Sequence, residues 1–283
     1  MWIINAFLSA IFAGMTSILS KMGLEDISSH YVTALRTSVV LVFTWVMYYV
    51  TGSSMQGINS YNFMFIVLSG FATGASWLCY YRALSLADVS QVVPIDKLST
   101  FLTMIFAFVI FHEEVTWVKV VCIFMMFIGT YLMQKRPQKE LNHDKRWLIY
   151  AFLSAIFASL TAILAKIGIE NVDSQTVTAL RTIVVVIMAW IVVFVTKSYS
   201  PIALLNKKQL KAIFFSALAT GLSWLCYFAA LKEGPASIVV PIDKLSIVIS
   251  ILFAYFVLNE KQSIKTILGL ICIVISTLLL LIG

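Results

Sequence analysis

An Asp–Lys pair follows a proline within two long apolar segments of this sequence. The octapeptide VVPIDKLS occurs at Val92–Ser99 and again at Val239–Ser246. An ionisable side chain at the centre of a membrane helix costs about 2.5–3.5 kcal/mol on insertion scales, so such residues normally face a partner or a water-filled cavity. The resulting candidates for substrate binding or proton exchange are Asp96, Lys97, Asp243 and Lys244.

The two prolines are expected to break the helices that carry these charges. Pro94 and Pro241 have no backbone N–H, and the proline ring clashes with the carbonyl four residues back. Adjacent residues on a helix point about 100° apart, so the Asp and the Lys of one pair cannot share a face. We expect one of them to face the cavity and the other to face a second helix. In the alternative reading, the aspartates pair with basic residues such as Arg36 and fix helix packing.

Further polar and aromatic residues recur at equivalent places. A buried arginine could bind an anion or could reach the membrane interface by snorkelling. A Trp and a Tyr three residues apart share a helix face, where their rings could stack on a substrate or form ordinary packing contacts. These candidates are Arg36, Arg181, Trp77, Tyr80, Trp224 and Tyr227.

The composition indicates an integral membrane protein. Hydrophobic residues make up 61% of the chain and charged residues 12%, with a mean hydropathy of +0.97, whereas an ordinary soluble domain has about 25% charged residues. The net charge of +7 resides largely in loops at the membrane edges, so it does not indicate a nucleic-acid partner. The four cysteines lie in apolar segments without a CxxC pair, which predicts neither a metal site nor a disulfide framework, and no cofactor is expected.

Ten segments are long enough to cross a bilayer core of about 30 Å. The most polar stretch, KRPQKELNHDKR, separates the fifth segment from the sixth. The predicted spans are 2–21, 31–51, 62–86, 89–111, 115–134, 147–166, 176–196, 210–231, 236–258 and 263–282.

The chain is an internal duplication. AFLSAIFA and VTALRT occur in both halves, and SWLCYYRAL in the first half matches SWLCYFAAL in the second. Since each half has an odd number of spans, the second enters the bilayer from the opposite side, which makes an inverted repeat of the kind found in secondary transporters. We predict an all-α protein with repeats at 1–134 and 147–283 around a central cavity, joined by a linker at 135–146. Both halves lie in one chain, so a monomer is possible.

The charges in the loops predict an orientation in the plasma membrane. Thirteen Lys and Arg residues lie on the side of the linker and three on the other side. By the positive-inside rule the linker is cytoplasmic and both termini are outside.

Several motifs resemble the EamA-type members of the drug/metabolite transporter superfamily. They are KMGLE…ALRT and KIGIE…ALRT near the first two helices of each half, together with FHEE and LNEK at the ends of the proline-containing helices. The resemblance covers essentially the whole chain. It implies an exporter or exchanger of small metabolites, with the substrate in a cavity between the halves and no ATP-binding module. It also implies cytoplasmic termini, unlike the orientation that the loop charges predict.

The sequence therefore predicts a secondary active transporter and not an enzyme. We expect it to move a small amino-acid-like, polar or anionic metabolite by alternating access, with proton coupling or exchange and with lipid as its surroundings. One alternative is a channel. Another is an intramembrane aspartyl protease that uses Asp96 and Asp243, although a Lys follows each Asp and no Gly-rich turn lies nearby.

Overall fold

A computed structural model describes residues 1–23, 28–87, 89–133, 146–199, 205–256 and 263–282. Within these ranges the chain forms helices and no β-strand. The linker predicted at 135–146 lies outside the described residues except for Arg146, which begins a helix. The helices are α1 (Trp2–Gly23), α2 (Ser29–Val50), α3 (Ser60–Leu86), α4 (Val89–Ile110), α5 (Trp117–Leu132), α6 (Arg146–Gly168), α7 (Ser174–Thr196), α8 (Lys207–Glu233), α9 (Ala236–Asp243), α10 (Ser246–Phe256) and α11 (Ile264–Leu279).

The helices correspond to the predicted spans, with α9 and α10 together filling the ninth. In the described part of the chain, seven helical segments are long and apolar enough to cross a membrane. Three apolar helices are shorter, namely Leu98–Ile110, Trp117–Leu132 and Ile264–Leu279. The all-helical, multi-pass fold is thereby confirmed, while the count of ten spans stays a prediction.

Equivalent residues start equivalent helices in the two halves. The Asn59 side chain accepts a hydrogen bond from the third backbone N–H of α3, and Asn206 does the same for α8, where Gln209 completes a capping box. Thr116 and Ser263 cap α5 and α11 in the same way. Because the first four N–H groups of a helix have no intrahelical partner, such side chains define where each helix begins.

The two halves interlock. The first helix of each half packs against the third helix of the other, as α1 with α8 and α3 with α6. The helices α2 and α7, which are equivalent by the repeat, pack against each other, and so do α5 and α11. The pseudo-two-fold axis therefore runs between these equivalent helices, and the central polar residues lie between the halves.

Glycine allows α5 and α11 to touch through their backbones. A Cβ atom added to Gly129 would lie 2.7 Å from the carbonyl oxygen of Gly269, and Gly129 itself is buried. A side chain at this position would force the two helices apart. Small residues have the same role in other membrane helix pairs, where they permit close backbone approach.

The described residues form an apolar cluster at each end of the bundle. We call the end that holds the C-terminus of α4 and the N-terminus of α9 the far end, and the opposite one the linker end. At the far end, fourteen buried residues form one cluster, with Trp2 and Phe111 packed against it. At the linker end, the described residues of the equivalent cluster include three that are buried, namely Ala83, Val92 and Ala151.

The two copies of VVPIDKLS have different backbone conformations. The break expected at Pro94 is absent from the described backbone, because α4 is helical throughout Val89–Ile110. A proline removes a single helical hydrogen bond, which a packed membrane helix can tolerate. After Pro241 the helix is interrupted as expected: the amides of Lys244 and Leu245 donate to the carbonyls three residues back, at 3.1 and 2.9 Å. This tighter 3₁₀ pattern often marks a functional position within a helix.

Candidate functional site

A central cavity of about 370 Å³ lies where the two halves meet. It is lined from both halves, with Thr73, Ser76 and Trp77 from α3 and several residues from α8 and α9. The sequence-predicted candidates that line it are Trp77, Arg181, Trp224, Tyr227, Asp243 and Lys244.

The remaining candidates have other positions. Tyr80 packs in the linker-end cluster, and Asp96 is half-buried beside a serine pair. Arg36 is half-buried on α2, and the described residues that line the cavity do not include it. The side chains of Pro94 and Lys97 lie outside the described part of the structure. Among the described residues, the second half therefore supplies most of the charged and aromatic groups of the cavity.

Asp243 is held by a pair of buried serines. The hydroxyl of Ser9 donates a hydrogen bond of 2.7 Å to the Asp243 carboxylate, and its oxygen lies 3.3 Å from the hydroxyl of Ser223. A hydroxyl has one proton to donate, so the Ser223 hydroxyl must be the donor in this second bond. Ser223 lines the cavity, and a chain of hydroxyls thus runs from the cavity to the carboxylate.

Asp96 has the equivalent surroundings in the first half. Ser154 donates a hydrogen bond of 2.9 Å to the Asp96 carboxylate, and the hydroxyl of Ser76 lies 3.3 Å from that of Ser154. In both cases the serine that bonds the aspartate belongs to the first helix of the opposite half. The duplication has therefore produced two Ser–Ser–Asp groups, each of which joins the halves.

Arg181 is a buried cation without a carboxylate partner among the described residues. Its side chain is 3% exposed; Nε donates a hydrogen bond of 3.0 Å to the Ser69 hydroxyl, and Nη2 donates one to Thr73. The guanidinium carbon lies 5.4 Å from the centre of the Trp224 ring and 4.9 Å from that of Phe228. Aromatic faces attract a cation, but they do not neutralise it. This site is therefore suited to an anionic group.

Lys244 follows Asp243 at the interruption between α9 and α10. Within the described part of the chain, no side chain forms an ion pair or hydrogen bond with its ammonium group. Because the helix is interrupted here, Asp243 and Lys244, which are adjacent and opposite in charge, both line one cavity. In a continuous helix, adjacent side chains point about 100° apart and would not readily face the same cavity. The cavity thus offers two cations and one anion, a set that matches a zwitterionic or anionic solute.

Three groups at the far end form a contact that we call the far-end latch: Glu113, Lys166 and the N-terminus of α9. The Glu113 carboxylate accepts hydrogen bonds from the N–H groups of Ala236 and Ser237, at 2.7 and 3.0 Å. Lys166 lies 3.5 Å from the same carboxylate and donates a hydrogen bond of 2.5 Å to the Gly234 carbonyl. A carboxylate at a helix N-terminus is favoured by the helix dipole as well as by these bonds.

The latch residues were not predicted as a site. Glu113 lies just beyond α4, where an acidic residue is ordinarily a surface group. One feature of the sequence could have indicated this contact. A Lys recurs in KMGLE and KIGIE, and a Glu recurs in FHEE and LNEK, at equivalent places in the two halves. The repeat equivalents of the latch pair, the Lys21 side chain and Glu260, lie outside the described part of the chain.

These features define the class of protein. Two interlocked inverted copies of a helical unit, with buried charges and an interrupted helix at their junction, form an architecture that occurs among membrane transporters. The chain belongs to the EamA-like transporter family, whose model matches residues 1–134 and 145–282. The resemblance that the sequence motifs indicated is confirmed, and the two matches correspond to the two repeats.

Individual relatives agree with this assignment. An uncharacterized transporter in the cobO 3′ region of Sinorhizobium sp. is 39% identical over 137 residues, which covers 48% of this chain and 97% of that protein. The S-adenosylmethionine uptake transporter of Rickettsia prowazekii is 26% identical over 281 residues, covering 96% of this chain and 89% of that protein. The transporter of the same name from Rickettsia bellii is 25% identical over 214 residues, covering 75% and 70%.

A solved structure has the same fold. The crystal structure of a protein that is 14% identical aligns with a TM-score of 0.81, covering 98% of this chain and 95% of its own. Together with the family match, the relatives identify the chain as a membrane transporter of small metabolites.

Proposed function

We propose that this chain is a secondary active transporter of an amino-acid-like metabolite that carries a carboxylate. The observation that carries the proposal is Arg181, a cation in the central cavity whose described partners are hydroxyls and aromatic rings. A buried charge without a counter-charge is costly, and a substrate carboxylate would compensate it. Hydrogen bonds between an arginine and a carboxylate are among the stronger ones in proteins.

The other cavity groups suit the rest of such a substrate. Asp243 can attract a positively charged group, while Trp77, Trp224 and Tyr227 offer rings for stacking on a planar base. S-adenosylmethionine combines a carboxylate, two positive groups and an adenine ring. Two relatives are named as uptake transporters of this compound, so it is the first substrate to test.

We assign proton coupling to the two Ser–Ser–Asp groups. Each aspartate lies at the junction of the halves and accepts a hydrogen bond from a serine of the other half. Protonation would remove the negative charge and weaken this bond, because bonds to a charged group are stronger than bonds between neutral groups. Gain or loss of a proton would therefore change how firmly the halves are joined.

The far-end latch supports a mechanism of alternating access. Glu113, just beyond α4 of the first half, contacts α6 and α9 of the second half beside the far-end apolar cluster. We propose that this conformation is closed at the far end, and that the cavity exchanges with the linker end. With a cytoplasmic linker in the plasma membrane, as the loop charges predict, the conformation faces inward.

Counterflow in proteoliposomes tests the transport proposal. Vesicles loaded with unlabelled S-adenosylmethionine should accumulate the labelled compound transiently, and methionine or adenosine in excess should show which part is recognised. Absence of counterflow both for S-adenosylmethionine and for a panel of labelled amino acids would refute the proposed substrate class.

The equivalent arginines provide a matched pair for the binding site. Arg181→Gln should weaken binding of the transported compound about tenfold or more, since hydrogen bonds to charged groups contribute about 1.5–3 kcal/mol. Arg36→Gln changes the repeat equivalent, which does not line the cavity, and should change the affinity much less. Calorimetry on protein in nanodiscs measures both, and equal effects would contradict the assigned role of Arg181.

A further inference from the structure

A second, narrower space lies beside the central cavity, between α4, α5, α10 and α11. We call it the lateral cleft. Its volume is about 40 Å³, compared with about 370 Å³ for the central cavity. Most of its lining is apolar, and the residues that matter for the argument are Phe101, Met104, Met126, Phe127, Ile247 and Ile273. Its small volume and apolar walls suit an alkyl segment better than a ring system such as adenine.

The lateral cleft has a charged inner end. Lys244 and Thr100 line both this cleft and the central cavity, so these two residues lie between the two spaces. No group in the described part of the structure pairs with the Lys244 ammonium. An ammonium group without a partner beside apolar walls favours a ligand that brings a negative charge.

The outer end of the lateral cleft faces the bilayer. Phe127 and Tyr131 line it, and they are 46% and 66% exposed on α5. Neighbouring residues on the same helix, such as Phe124 at 58% exposed, show that this side of α5 is the outer surface of the bundle. In a membrane this surface contacts lipid chains, so the outer end of the cleft borders the hydrocarbon region.

We infer that the lateral cleft is a binding site for a single-chain carboxylate of the fatty-acid class. The carboxylate binds the Lys244 ammonium, and the alkyl chain lies between α5 and α11 and extends toward the lipid. The charge complements an unpaired cation, and the apolar walls bury the chain. Its cation differs from Arg181, to which we assigned the substrate carboxylate, and its occupancy can be measured without transport.

The probe is radiolabelled decanoate, with protein in phosphatidylcholine nanodiscs and empty nanodiscs to subtract partition into the bilayer. Decanoate should bind saturably, and unlabelled decanoate should displace it. Decan-1-ol, which lacks the charge, and acetate, which lacks the chain, should compete at least about tenfold less well. Displacement by phosphatidylglycerol and not by decanoate would instead assign the cleft to a phospholipid and overturn the proposal.

Two variants locate the site. Lys244→Met removes the ammonium but keeps an unbranched chain, and should weaken decanoate binding about tenfold or more. Phe127→Trp enlarges a side chain at the mouth of the cleft, whereas Phe124→Trp makes the same change three residues away, outside the lining. Because both phenylalanines face lipid, neither change should prevent folding. The proposal requires weaker binding in Phe127→Trp alone, and equal binding in both variants would refute it.

Discussion

Replacing Glu113 by glutamine should open the far end of the bundle. The carboxylate of Glu113 bonds two backbone N–H groups of α9 and lies 3.5 Å from Lys166. Glutamine keeps one acceptor oxygen, but its amide nitrogen cannot accept a bond from the second N–H group, and the ion pair is lost. Losing one charge-assisted hydrogen bond costs about 2 kcal/mol. This cost shifts the equilibrium between the conformations with a closed and an open far end about thirtyfold toward the open one.

Thiol accessibility measures this shift. Val239 is fully buried in the far-end cluster, so a cysteine at this position reacts with a water-soluble maleimide only when the far end opens. The four native cysteines, Cys79, Cys122, Cys226 and Cys272, are first replaced by serine or alanine. In this background, Glu113→Gln should raise the labelling rate of Val239→Cys by at least about tenfold.

The neighbouring Glu114 provides the control. Its side chain is exposed, and its backbone carbonyl, which a substitution leaves in place, accepts a hydrogen bond from Lys119. Glu114→Gln should therefore leave the labelling rate unchanged. If both glutamine variants label at the same rate, the far-end latch does not hold this end closed and our reasoning about its energy is wrong.

Three further changes test separate parts of the molecule. Asp96→Asn should abolish substrate accumulation driven by a proton gradient but preserve counterflow, as measured in proteoliposomes, because the described lining of the cavity does not include Asp96; intact accumulation would exclude this carboxylate from coupling. Ser9→Ala removes the donor to Asp243 and should lower proton-driven accumulation severalfold. The control is Ser17→Ala, since the Ser17 hydroxyl bonds the Ala13 carbonyl of its own helix. Gly129→Val should destabilise the protein by about 1–3 kcal/mol in thermal denaturation, because the added atoms meet the Gly269 backbone, whereas Ile128→Val on the exposed face should stay within about 0.5 kcal/mol.

The fold could be predicted because a bilayer imposes simple constraints on sequence. Every spanning segment must be apolar over most of its length and must satisfy its own backbone hydrogen bonds. The duplication, with an odd number of spans in each half, then predicted that the two halves have opposite orientations in the membrane. Helix starts were also readable in principle, since Asn59 and Asn206 occupy equivalent capping positions.

The site could be predicted only in part, because its contacts join distant residues. The candidate list included Asp243 and Arg181, but Ser9 and Ser69, which bond them, look like ordinary small residues of apolar helices. Their role depends on how α1 packs on α9 and α7 on α3. The repeat also suggested that Arg36 and Arg181 are equivalent, whereas the packing brings Arg181 alone into the lining of the cavity.

The two copies of VVPIDKLS show how little the local sequence determines in this segment. The same eight residues form a continuous helix in α4 and an interrupted one between α9 and α10. The free-energy difference between these backbone conformations must therefore be small enough for surrounding contacts to decide it. A segment with no strong conformational preference of its own adds little to the barrier for a change of shape. Under the proposed mechanism, the contacts between helices then set the rate at which the protein changes between its inward-facing and outward-facing conformations. The octapeptide in each half would act as a flexible hinge.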